Sequence, residues 1–204
     1  MFARFKTGEQ RLLGGIMEKN TFSKMCVKLF FRLIFLDIAC FILCAFGIAA
    51  SDGNFVRILL QIACIIVTIA FVYPVCHKQG DVDATLIPSG HRKNSNLKGL
   101  LAGIIACSPY LISSVILVVS RIFGVFSGFM NYYKMINSFF FPFLYSLMPT
   151  DYSLTELSAS NFLLSLSVQI FIPIICLFSY ILGKQRFLFK EVVFYKKKEI
   201  ADRN

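Results

Sequence analysis

Leu29 to Ala50 reads LFFRLIFLDIACFILCAFGIAA, an apolar run of about the twenty residues that a helix needs to cross a bilayer. Arg32 and Asp37 are its only charged residues. Three more stretches, Phe55 to Val75, Gly99 to Val119 and Phe162 to Leu182, have the same length and character. The expected fold is an all-α membrane protein. It is a four-helix transmembrane bundle over residues 29–182 with spans 29–50, 55–75, 99–119 and 162–182, between a basic N-terminal segment (1–28) and a basic C-terminal tail (183–204).

Composition agrees with this. A hydrophobic content of 57% and a mean hydropathy of +0.71, with 16% charged residues, is too apolar for a soluble domain, where charge usually approaches about a quarter. The net charge of +10 would suggest nucleic acid as a partner in a soluble protein. Here the basic residues flank apolar runs, so the expected partners are the lipid bilayer, its anionic inner-leaflet lipids and a membrane protein, with no nucleic acid. Of the 21 Lys and Arg residues, all but Arg57, Arg121 and Lys134 lie in the N-terminal segment and its junction with the first span, the loop after the second span, or the tail. By the positive-inside rule both termini face the cytoplasm, and the expected location is the plasma membrane.

Gly47, Ala49 and Ala50 mimic a signal-peptidase site, but the preceding run is too long and Asp37 interrupts it, so a cleaved leader is not expected. Neither end carries a lipidation pattern. Met1 to Lys28 mixes basic residues with Phe2, Phe5, Leu12 and Ile16, in the manner of a short helix on the inner surface or a disordered leader, and Asn20 and Thr21 offer an N-cap for the helix that follows. Ser51 to Asn54 makes a tight external turn, and Cys76 to Lys98, punctuated by Gly80, Pro88 and Gly90, reads as irregular cytoplasmic loop.

The long external loop from Ser120 to Asn161 is the oddest part. Its segment Met135 to Met148 is apolar but short and holds Pro142, which fits an interfacial or re-entrant segment rather than a crossing. Tyr132, Tyr133, Tyr145 and Tyr152 are expected at headgroup level. A fifth full crossing there would turn the basic tail outward.

Asp37 is the first candidate for function, because it lies about eight residues, roughly 12 Å, inside the span, where a carboxylate costs several kcal/mol unless paired or protonated. It shares a helix face with Cys40, Cys44 and Gly47. At comparable depth stand Thr68, the Ile105 carbonyl freed by Pro109, and Gln169, four residues before Pro173. Asp37, Thr68 and Gln169 form the candidate intramembrane polar site, either a structural cluster or the lining of a proton or cation path. Gly99, Gly103 and Cys107 recur every four residues and form the candidate helix-packing ridge.

No motif names a reaction. Cys76, His77, Asp81, Asp83 and His91 match no zinc or calcium spacing, and Asp81-Val82-Asp83 is too short to signify a metal-nucleotide site. There is no nucleophile elbow, HExxH or Walker A sequence, and no histidine lies in a span to serve Ser113 or Ser114. The seven cysteines read as small packing residues. No catalytic residue, metal or cofactor is therefore expected. The chain reads as a non-enzymatic accessory or structural subunit of a membrane complex, with a small ion- or proton-coupled transporter or channel using Asp37 as the alternative.

Overall fold

The computed structural model describes residues 3–50, 53–87, 95–126, 128–149 and 153–185, with side chains from residue 22 to 47 in the first range. Among them the chain is helical, without a strand. The helices are α1 (Ala3–Ala50), α2 (Asn54–Leu86), α3 (Lys98–Ala106), α4 (Ser108–Phe123), α5 (Phe129–Ile136), α6 (Phe141–Leu147), α7 (Ala159–Ser167) and α8 (Phe171–Lys184), and short 3₁₀ turns precede α6 and α8.

Three segments, Phe22–Gly47, Asn54–Leu86 and Ala159–Lys184, are long and apolar enough to cross a membrane, and α3 with α4 makes a fourth if the bent pair counts as one span. The bend is 59°. Its cause lies in the sequence: Pro109 sits in the first turn of α4, has no N–H for the Ile105 carbonyl, and its ring clashes with a continuing helix. The expected single span 99–119 is thus two helices that meet at Cys107.

The outer faces carry large apolar side chains, among them Phe31, Phe35, Ile66, Ile112, Val115 and Phe178. In water this much exposed apolar surface would drive aggregation, whereas lipid tails match it, so the helices point to a membrane location. In lipid, burial drives association only weakly, and close backbone approach with hydrogen bonding holds the helices together. On α1 the inward stripe is Leu29, Leu33, Leu36, Cys40 and Cys44. On α2 it is Cys64, Thr68, Val72, Cys76, Gly80 and Asp83, at almost strict four-residue spacing.

Glycines set the closest contacts. A Cβ on Gly80 would fall on the Tyr180 carbonyl, and one on Gly183 on the His77 carbonyl, so α2 and α8 touch backbone to backbone at that end. Along α3, a Cβ on Gly99 would lie 2.6 Å from the Cys176 carbonyl oxygen, and one on Gly103 would lie 2.8 Å from the Cα of Pro173. The ridge of Gly99, Gly103 and buried Cys107 therefore faces α8 of the same chain.

Two loop expectations change. Past Val75 the chain continues as helix through Leu86, so Gly80 is a contact point and not loop punctuation. The continuation is held by buried Asp83, which accepts hydrogen bonds from Tyr180 Oη (2.6 Å) and Gln79 Nε2 (3.0 Å) and pairs with Lys98 Nζ at 3.5 Å. At the other end, the N-cap offered by Asn20 and Thr21 is not used, and α1 runs unbroken from Ala3. Pro88, Gly90, His91, Tyr152 and the tail from residue 186 lie outside the described residues.

Candidate functional site

The loop segment 128–149 forms a helical hairpin whose tip is Asn137 and Ser138. Asn137, with φ −107° and ψ 45°, ends α5, and its side chain Nδ2 donates back to the Tyr133 carbonyl at 2.9 Å, the same acceptor that takes the Asn137 backbone N–H at 3.1 Å. Pro142 lies in the first turn of α6, where its missing N–H costs nothing, so the proline starts the returning helix. Lys134 Nζ, in the last turn of α5, reaches the Met148 carbonyl (3.1 Å) just past the end of α6 and ties the two helices together.

The tip meets α1 at Asp37. The Ser138 backbone N–H donates to Asp37 Oδ1 at 3.0 Å, and Ser138 Oγ lies 2.6 Å from the same oxygen and 2.5 Å from the Asp37 carbonyl. Ser138 is fully buried and Asp37 half-buried. At a 1.5 Å rise per residue, Asp37 lies roughly 15 Å along α1 from Gly47, so the hairpin tip meets α1 that far from Gly47. Arg32, the nearest cation in sequence, donates instead to the Phe71 carbonyl (2.9 Å).

One residue earlier, Asn137 Oδ1 accepts from Gln169 Nε2 at 2.7 Å. Gln169 sits in the 3₁₀ turn Val168–Ile170, four residues ahead of Pro173. The same amide lies 3.3 Å from Tyr133 Oη, which donates to the Ser165 carbonyl at 2.8 Å. Tyr133 is fully buried within the protein, while Tyr132 is exposed. Tyr110 Oη donates to the Leu33 carbonyl (3.2 Å), and its ring packs edge-on against Phe139 beside the tip.

The three residues of the sequence-derived polar site thus have separate partners. Asp37 bonds Ser138, Gln169 bonds Asn137 and Tyr133, and Thr68 Oγ1 donates to Cys64 in its own helix at 2.7 Å. The adjacent residues Asn137 and Ser138 link the first two. Neither stood among the sequence candidates, although two consecutive polar residues inside the apolar run Met135 to Met148 are the signal that marks them.

All seven cysteines are buried and free, with Cys44 Sγ 3.7 Å from Cys64 Sγ across the α1–α2 contact. Among the described residues, no group of three His, Cys, Asp or Glu side chains is arranged to hold a metal ion. Comparison with protein-family models, with curated proteins and with solved structures finds no match to this chain.

Proposed function

We propose that the chain is a multi-pass plasma-membrane protein with both termini in the cytoplasm, and that it serves as a non-enzymatic accessory or structural subunit. The division of basic residues supports the orientation. It also turns the hairpin into a re-entrant segment that enters from the outside and stops at Asp37. The observation that carries the structural role is the bonding of Asp37: the intramembrane acid is spent on Ser138, a residue of the same chain. An acid used this way seats a hairpin. The outward apolar faces of α1 and α4 then meet lipid or a membrane-protein partner, and the basic tail meets anionic inner-leaflet lipid.

A second reading, ion- or proton-coupled transport, has its own support. Asp37 is half-buried beside one break in the helical backbone at Asn137, and Gln169 lies in a second break. Interrupted helices with polar tips near the membrane centre are how many transporters build ion sites.

Two measurements separate the readings. Gentle detergent extraction of the native chain should recover a membrane-protein partner in fixed ratio, and Asp37→Asn should leave that ratio unchanged. Liposomes holding the purified chain should show no proton or monovalent-cation flux above empty vesicles. Flux that disappears in Asp37→Asn would overturn the structural reading in favour of transport.

A further inference from the structure

Between α2 and α6 lies a groove of about 480 Å³ lined by Asn54, Arg57, Ile58, Gln61, Ile62, Pro142, Phe143 and Ser146. Its polarity is graded. Asn54 and Arg57 stand at the end of α2, while Ile58, Ile62, Pro142 and Phe143 wall the part nearer the middle of the helix. Gln61 fixes the groove's shape: its Nε2 donates to the Phe139 carbonyl and its Oε1 accepts from the Phe143 N–H, each at 3.2 Å. The Phe143 amide is one of the donors that the first turn of α6 leaves without a helical partner, so this bond pins α6 to α2. Arg57 is held at the mouth with its guanidinium 4.8 Å from the centroid of the Tyr145 ring.

We infer that this groove is a binding site for one phospholipid, with the phosphate at Arg57 and Asn54 and an acyl chain along Ile58, Ile62 and Phe143. Three observations select that occupant. A guanidinium beside an amide is complementary to a phosphate. Ile58 and Ile62 are 60% and 50% exposed, so the apolar wall is continuous with the lipid-facing surface of α2. From Asn54 to Ile62 the helix rises roughly 12 Å, close to the depth of one leaflet's hydrocarbon. The site requires only that α2 spans the bilayer; orientation decides which leaflet supplies the lipid, the outer one under the topology proposed above.

The test uses the full chain, delipidated in detergent and titrated with four probes while native mass spectrometry counts bound molecules. The probes are a phosphatidylglycerol, a phosphatidylcholine and a diacylglycerol of the same acyl chains, and soluble glycerol 3-phosphate. One phosphatidylglycerol should bind more tightly than diacylglycerol, and glycerol 3-phosphate should not bind. Arg57→Gln should weaken phosphatidylglycerol binding about tenfold and leave diacylglycerol unchanged. Ile62→Trp, which fills the apolar end, should weaken all three lipids. Circular dichroism confirms that each variant keeps its helices, and a variant that loses them is replaced by Arg57→Met or Ile58→Trp with the same expectations. Phosphatidylglycerol binding equal to wild type in folded variants of both kinds would reduce the groove to ordinary annular lipid contact. Binding of glycerol 3-phosphate as tight as that of the lipid would make it a soluble-phosphate site. Either result overturns the inference.

Discussion

Ser138 and Asp37 are 101 positions apart in the chain and share three hydrogen-bond contacts, through the serine amide and hydroxyl on one side and the carboxyl and carbonyl of the aspartate on the other. This relationship fixes the hairpin tip against α1. It also converts a residue that is expensive in lipid into an anchor, since a buried polar group costs little once its partners are supplied.

The first prediction concerns that anchor. Ser138→Ala should destabilise the protein by about 1 to 2 kcal/mol in unfolding from mild detergent, the cost of leaving buried partners without their hydroxyl. Asp37→Leu should cost a similar amount. Asp37→Asn, which keeps the size and a polar partner for the Ser138 hydroxyl, should leave folding nearly intact. The double variant Asp37→Leu/Ser138→Ala should cost clearly less than the sum of the two singles, by about 0.5 kcal/mol or more. Additive losses would mean that the two residues act independently.

Helix contact gives the second prediction. Gly183→Val places side-chain atoms on the His77 carbonyl, and Gly80→Val places them on that of Tyr180, so each should cost about 2 kcal/mol or more, or block folding. Gly128→Ala, with nothing within 4 Å of the added methyl and an ordinary backbone conformation, should change stability by less than about 0.5 kcal/mol. Thermal melts in one detergent compare the three.

The α1–α2 contact yields a third. Cys44 and Cys64 have sulfur atoms 3.7 Å apart, near enough to join after a small side-chain adjustment. Copper-phenanthroline oxidation of membranes, followed by peptide mass spectrometry, should give a 44–64 cross-link that Cys64→Ser abolishes. Failure to form it under conditions that oxidise an exposed control thiol would place the two helix faces apart.

The fourth prediction tests orientation. A cysteine at Thr155 should react with a membrane-impermeant maleimide added outside intact cells, and cysteines at Arg92 and Asn204 only after the membrane is opened. Labelling of Asn204 from outside would reverse the proposed topology.

Helix content and the apolar runs were readable from the sequence because both are local: about twenty consecutive apolar residues need no knowledge of their neighbours. The bend at Cys107 was signalled by Pro109. Features that depend on distant partners were not readable. Helix α2 outlasts its apolar run because Lys98 and Tyr180 meet Asp83, and nothing between Cys76 and Leu86 announces them. Gln169 and Asp37 were visible as polar residues at depth, but their partners Asn137 and Ser138 sit in a loop with no helical period to aim them. A hydrogen bond across 101 residues leaves no local trace.

The most direct test of the anchored hairpin is the double variant Asp37→Cys/Ser138→Cys, oxidised in native membranes with the Cys44–Cys64 pair as an internal control. The account predicts a 37–138 cross-link in the mapped peptides and no reaction of residue 138 with an impermeant maleimide added outside. A 44–64 cross-link without the 37–138 link, together with labelling of residue 138 from outside, would contradict it.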